Sequence, residues 1–198
     1  MDNDETLRRY EAMSEDEKIY HANLILSAAP SDPRDWSDEC VGVSSLLAGW
    51  SLARRDYLSA SREWDRLFLY VVSQCGIGDE KDVISAAYNA GLMHWYLEDS
   101  LGVMSVTKPV YDYWINEKIP TPRSQRRLAK IVWLYAASGR PREASRLNKR
   151  VILGSLRHGR PLRFVRSLLY QVFLGVGLYG LAGKPELEGR MLRPKGLG

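Results

Sequence analysis

Helix-length segments separated by proline and glycine constrain the fold of this 198-residue chain more than any other sequence feature. In residues 57–74, for example, apolar side chains recur at intervals of three and four, which places them on one face of an α-helix. Strict alternation of apolar and polar residues, which would indicate a strand, occurs nowhere. The sequence therefore predicts an all-α protein of about seven or eight helices.

Local capping signals and breaks set the limits of the predicted helices. Ser14 and Glu17 form a capping-box pattern, in which each residue satisfies a backbone amide of the other. Asp79 and Ser124 are the predicted caps of two later helices. The predicted helices cover residues 4–28 (as one or two helices), 38–53, 57–74, 80–97, 101–116, 124–138, 141–156 and 162–183.

The composition is that of a globular protein, with 45% hydrophobic and 26% charged residues. Cys40 and Cys75 lie far apart in different predicted helices, so we expect both to be reduced and buried. Residues 1–17 are acidic and lack an apolar core, unlike a secretory signal or an arginine-rich transit peptide. We expect an intracellular, reducing location, either soluble or membrane-associated; the sequence does not specify the organelle.

The charge is divided unequally along the chain. Residues 1–117 carry a net charge of −11 (10 basic and 21 acidic residues), and residues 118–198 carry +15 (18 basic and 3 acidic). The segment 118–170 is the most basic, because it has fourteen basic residues and one acid, Glu143. Most of these basic residues are arginines, which favours partners that bear carboxylates or phosphates.

We divide the chain into a helical-repeat-like domain (1–161), an apolar, glycine-rich terminal helix (162–183) and an extended basic tail (184–198). The uncharged run 167–183 permits two interpretations. It is either a helix packed in protein or, at about 25 Å, a helix at the short limit for spanning a bilayer.

Two helix pairs share a pattern of large, small and aromatic residues. The first comprises Leu47, Ala48, Asp56 to Ala60, Trp64 and Leu67; the second comprises Leu128, Ile131, Tyr135, Gly139 to Ala144 and Val151. This pattern resembles the tetratricopeptide repeat, and Tyr88 to Gly91 with Leu101 to Trp114 form a degenerate middle pair. The resemblance implies stacked antiparallel helix pairs that present a groove to another protein. An irregular helical bundle is the alternative.

No motif predicts catalysis. His94 and Glu98 lie four residues apart on a predicted helix, but two ligands do not make a metal site. Gly175 to Gly180 matches GxGxxG without the strand before it and the acid about twenty residues after it that a dinucleotide site requires. We therefore expect a non-enzymatic protein without catalytic, cofactor-binding or metal-binding residues.

The expected function is that of a scaffold or accessory subunit, possessing a basic C-terminal half and an apolar terminal helix as its contacts. Its partners would be acidic surfaces of other protein subunits, with anionic lipid or membrane as a further possibility and nucleic acid as a secondary one. The alternatives are a nucleic-acid or ribonucleoprotein binder, and an adaptor or immunity-type protein that binds one partner. The predicted charged contacts are Arg126, Arg127, Arg142, Arg146 and Arg150. The predicted apolar contacts are Leu169, Phe173, Leu174, Val176, Leu178 and Leu181.

Overall fold

The computed structural model describes residues 12–77, 82–116 and 119–177, and in these residues the regular structure is entirely helical. The all-α prediction is confirmed. For α2 to α7, the predicted limits lie within two residues of those observed. The helices are α1 (Glu15–Ala28), α2 (Asp38–Ala53), α3 (Tyr57–Cys75), α4 (Asp82–Tyr96), α5 (Ser100–Asn116), α6 (Pro122–Ala137), α7 (Pro141–Arg157) and α8 (Pro161–Gly175), with a 3₁₀ turn (Pro33–Asp35) before α2.

The capping box at the start of α1 is confirmed. The Glu17 amide donates to Ser14 Oγ at 3.3 Å, and the Ser14 amide donates to the Glu17 carboxylate at 2.7 Å. The predicted cap of α6 is wrong, because Thr121 occupies that position and Ser124 is buried in the first turn. Pro122 fits the first helical position, since its missing N–H has no partner there in any helix. The predicted cap Asp79 lies outside the described residues.

The last helix is shorter than predicted. The apolar run indicated a helix over 162–183, but α8 ends at Gly175 and continues into a turn at Val176 and Gly177. Gly177 has a φ of +75°, a left-handed conformation that glycine adopts readily and that ends a helix. Residues from 178 onward lie outside the described part of the chain.

Neighbouring helices pack as pairs. Short connections make consecutive helices antiparallel, and α2 packs with α3, α3 with α4, α4 with α5, and α6 with α7. The last two pairs stack on each other, because α4 also contacts α6 and α5 also contacts α7. Finally, α8 packs on α7. The small residues Ala60 and Ala144, which the repeat pattern placed between helices, are fully buried.

One apolar core joins these pairs, from Trp36 before α2 to Leu174 in α8. Its largest fully buried side chains include Trp114, Tyr88 and Tyr135. Cys40 belongs to this core, as expected. The expectation of burial is wrong for Cys75, because the last buried residue of α3 is Val71 and the helix continues beyond the core.

A glycine allows α7 to approach the loop before α6. A Cβ atom on Gly154 would lie 2.6 Å from the Pro120 carbonyl oxygen and 2.9 Å from Gln125 Nε2. Gln125 is fully buried; it donates to that same carbonyl at 3.1 Å and accepts from Ser155 Oγ at 3.2 Å. The close approach therefore lets a buried hydrogen-bond network form between α6, α7 and the loop.

We expect Gly154→Ala to lower the free energy of unfolding by about 1–3 kcal/mol, because the added methyl group meets a backbone carbonyl that cannot move independently. The matched control is Gly175→Ala, where a Cβ meets no atom within 4 Å. The control should leave stability unchanged or raise it by up to about 1 kcal/mol, since alanine favours helix over glycine. Denaturant unfolding followed by circular dichroism measures both, and equal stability of the two variants would contradict the prediction.

Candidate docking surface

The basic residues lie mainly on the last three helices. Residues 119–177 contain thirteen lysines and arginines and one acid, Glu143. The Glu143 carboxylate lies 3.7 Å from the Arg140 guanidinium at the start of α7. A surface with such an excess of one charge repels itself and attracts anions. The C-terminal helices are therefore the part of the fold best suited to an acidic partner.

Two of the five predicted contact arginines hold helices together. Arg127 Nε donates to Ser85 Oγ at 2.8 Å and so joins α6 to α4. Arg150 Nε donates to the Trp114 carbonyl at 3.0 Å, near the C-terminal end of α5, where a helix favours positive charge. Both arginines are half-buried. Each therefore has a structural contact, and its contact with a partner stays a prediction.

Two other predicted arginines, Arg142 and Arg146, line a groove between α7 and α8. Together with Lys149 they form an exposed row along one side of α7, at intervals of four and three residues. The groove has a volume of about 390 Å³. We call it the arginine groove; its lining is Pro141, Arg142, Ser145, Arg146, Lys149, Gln171, Leu174 and Gly175.

Buried polar contacts fix α8 against α7 and so define the groove. Asn148 Nδ2 donates to the Ser167 carbonyl and to Gln171 Oε1, both at 2.9 Å. Gln171 Nε2 in turn donates to Ser145 Oγ. Asn148 is fully buried, so the loss of these partners would leave a polar group unsatisfied. The polar side of α8 therefore faces α7.

A second basic feature forms where α8 begins. Arg163 Nη1 donates to the Pro122 carbonyl at 2.8 Å, which brings the start of α8 to the start of α6. Burial lowers the pKa of the Arg163 guanidinium, and repulsion from Arg160, Arg126 and Arg166 lowers it further. These four residues, Arg126, Arg160, Arg163 and Arg166, are here called the arginine cluster.

Sequence reasoning identified only Arg126 from this cluster. The other three were not among the predicted charged contacts, although their spacing of three residues indicates a shared helix side. The sequence could not show that the packing of α6 and α8 brings Arg126 close to Arg163. That proximity depends on tertiary packing.

The outward side of α8 is apolar. Six side chains there are between 46% and 88% exposed, with Leu162 the most exposed. Contiguous exposed apolar surface on this scale commonly marks an interaction site. We call it the apolar face of α8; it consists of Leu162, Val165, Leu168, Leu169, Val172 and Val176.

The predicted apolar contacts divide among several environments. Leu169 and Val176 belong to the apolar face, and Phe173 is half-buried at its edge. Leu174 is only 6% exposed and belongs to the core, although it also lines the arginine groove, and its contact with a partner stays a prediction. The predicted contacts Leu178 and Leu181 lie outside the described residues.

His94 contacts two aspartates, and not Glu98, with which its spacing suggested a shared metal. Its Nδ1 lies 2.9 Å from the Asp99 carboxylate, and its Nε2 lies 3.0 Å from that of Asp65 in α3. Glu98 is exposed, in a left-handed conformation (φ +57°) at the turn. Within the described residues, no group of three or more histidine, cysteine or acidic side chains is arranged to hold a metal.

The chain was compared with known proteins, and it matches no family model, no curated protein and no solved structure. In the ranges 12–77, 82–116 and 119–177, no helix combines the length and the apolar character needed to cross a membrane.

The contacts of His94 predict a pH dependence of stability. Hydrogen bonding to Asp65 is the main cause that raises the pKa of His94 above its usual 6.5, and Asp99 adds to it. A raised pKa stabilises the fold fully below about pH 6.5, and this contribution is lost as the pH rises through the folded-state value. We therefore expect His94→Asn to destabilise the protein more at acidic than at alkaline pH.

Denaturant unfolding of both proteins at a series of pH values tests this prediction. Tyr20→Ala, at an exposed residue of α1, serves as a control that should show no such trend. A stability difference between wild type and His94→Asn that stays constant with pH would contradict the assigned charge on His94.

Proposed function

We propose that this chain is a non-enzymatic accessory subunit that docks onto an acidic surface of another protein, with the arginine groove as its main charged contact. The observation that carries the proposal is the exposed row of Arg142, Arg146 and Lys149 beside α8, in a part of the chain with a single acid. Arginine forms paired hydrogen bonds with carboxylates. A row of cations along one helix therefore suits a run of acidic side chains on a partner.

The placement of the aromatic residues gives less support to the nucleic-acid alternative. Tyr135 is fully buried, and Trp133 packs edge-to-face against Trp95 with ring centroids 5.2 Å apart. Stacking on bases needs exposed rings, so these side chains serve the core instead. Arginine contacts with phosphates alone would still bind nucleic acid, with a steep salt dependence.

An adaptor that binds one partner would use a different groove, in the N-terminal half of the chain. A groove of about 360 Å³ lies among α1, α2 and α3. Its charged lining mixes both signs, for example Arg62 with Glu63 and Asp56. Such a mixed groove does not favour one class of partner. It nevertheless provides a separate surface against which the arginine groove can be compared.

The test is co-purification from an extract of the native cells, with and without nuclease, followed by quantitative mass spectrometry. The double variant Arg142→Glu with Arg146→Glu reverses the groove. We expect wild type to recover a defined set of acidic proteins despite nuclease, and the variant to recover them about tenfold less or worse, because charged hydrogen bonds become repulsions.

The matched control is Arg55→Glu with Arg62→Glu, which makes the same change in charge at exposed residues of the N-terminal half. This control should recover the same proteins as wild type. If the control loses them and the groove variant retains them, the adaptor alternative is supported. If nuclease abolishes recovery, the arginines bind nucleic acid and the proposed function is wrong.

A further inference from the structure

The apolar face of α8 lies on the outside of the fold, beside the arginine groove. In most surface helices the apolar side packs on the core and the polar side meets water. In α8 this division is incomplete, because Leu174 packs on the core but Ser167 is also buried and Gln171 hydrogen-bonds to α7, while Leu162 and Leu169 are exposed. The buried hydrogen bonds of Asn148 to Ser167 and Gln171 help to hold α8 in this orientation.

Positive charge borders the apolar face along both edges. Arg166 follows Leu162 by four residues and precedes Leu169 by three, which places it beside both on the helix surface. Arg166 is also one of three arginines whose charge acts on Arg163, the others being Arg160 and Arg126. On the opposite edge, Gln171 and Gly175 line the arginine groove. The surface is therefore an apolar strip between two groups of cations.

The occupant of such a strip must be apolar and negatively charged. The residues that follow α8 in the sequence, 178–198, are a poor match because they contain four basic and two acidic residues, five glycines and two prolines. A second copy joined through this face would bring two arginine clusters together, since a twofold contact places like surfaces opposite each other. Both possibilities are disfavoured by repulsion between like charges.

We propose that the apolar face of α8 lies in the headgroup layer of an anionic lipid bilayer, with the flanking arginines bound to lipid phosphates. A helix in this position lies flat, with its leucine and valine side chains about 5–10 Å into the boundary between headgroups and acyl chains. It needs an exposed apolar face rather than a length that spans the membrane.

An anionic bilayer fits this surface better than a folded protein does. The six side chains of the face are all leucine or valine, whereas the centres of protein interfaces are enriched in aromatic residues, methionine and arginine. The face offers no side-chain hydrogen-bond donor or acceptor, and lipid chains require none. Arginine side chains can extend upward from the apolar layer to reach phosphates.

This inference goes beyond the proposed docking function and does not rest on it, because its main contact is the apolar face of α8 and not the arginine groove that borders this face. The test is flotation of the full chain with vesicles of phosphatidylcholine, alone or mixed with phosphatidylglycerol, at low and high salt. We expect wild type to float with the anionic vesicles at low salt, and about tenfold less with neutral vesicles or at high salt, because each basic residue near an anionic surface adds affinity.

The decisive variant is Leu169→Glu with Val172→Glu, which puts two carboxylates into the face. Its control is Leu58→Glu with Leu69→Glu, which adds the same charge at leucines of α3 that are 53% and 44% exposed. We expect the α8 variant to lose anionic vesicle binding by at least about tenfold, and the control to keep it. Circular dichroism confirms that both variants fold, since all four side chains are exposed.

A single charge reversal tests the arginine cluster. Arg166→Glu should weaken binding to anionic vesicles by at least about fivefold, whereas Arg62→Glu in α3 should not. The inference is overturned if wild type does not float with anionic vesicles. It is also overturned if the α8 variant floats as well as its control, or if the α8 substitutions abolish recovery of a protein partner while vesicle binding persists.

The two proposals fail separately. Loss of vesicle binding with intact, groove-dependent protein recovery would refute the lipid contact and leave the docking function in place. Vesicle binding without groove-dependent recovery would refute the docking function instead.

Discussion

Close approach between helices at small residues is the constraint on which the rest of this structure depends. Ala60 and Ala144 are fully buried between paired helices, and a Cβ on Gly91 would lie 2.7 Å from Leu134 Cδ2. Because α4 and α6 meet at Gly91, Arg127 on α6 can reach Ser85 on α4. The same stacking places α7 beside α5 and so provides the surface on which α8 packs. The positions of the basic surfaces therefore depend on small, uncharged residues between the helices.

Hydrogen bonding acts together with the packing of Leu174 and Tyr170 on the core to determine which side of α8 faces outward. Leu174 is the one residue of α8 with an apolar side chain buried in the core, whereas Asn148 holds both the Ser167 carbonyl and the Gln171 side chain. A rotation of α8 that buried its leucines would leave Asn148 without these partners, and a buried polar group without a partner costs about 1–3 kcal/mol. The exposed apolar face is thus a consequence of a polar interface, which explains how a helix this apolar can remain on the surface.

Much of the fold could be predicted from the sequence, because helix limits depend on local signals. Proline, glycine and capping residues act over a few positions, and they located α2 to α7 closely. The contacts of His94 could not be predicted this way, since Asp65 lies 29 residues earlier in another helix. The arginine cluster was missed for the same reason, because Arg126 meets Arg163 only through tertiary packing. Hydrophobicity alone also placed Leu174 with the exposed residues of α8, although at about 3.6 residues per turn it lies on a different side of the helix from Leu169 and Val172.

The charge and the apolar face at this end of the molecule act together. The outer side of a surface helix is usually polar. The last described helix has an apolar outer side instead, and arginines border it. Burial is the main cause that lowers the pKa of Arg163, and repulsion from the neighbouring arginines lowers it further. The same like charges would repel a second copy at this surface. In self-association, repulsion between the arginines therefore opposes the apolar contact. With an anionic, apolar partner, the arginines attract the partner and so add to the apolar contact. The specificity of this surface comes from the electrostatic interaction of its arginines, which is repulsive toward a second copy and attractive toward an anion. The exposed leucines alone would favour any apolar surface equally.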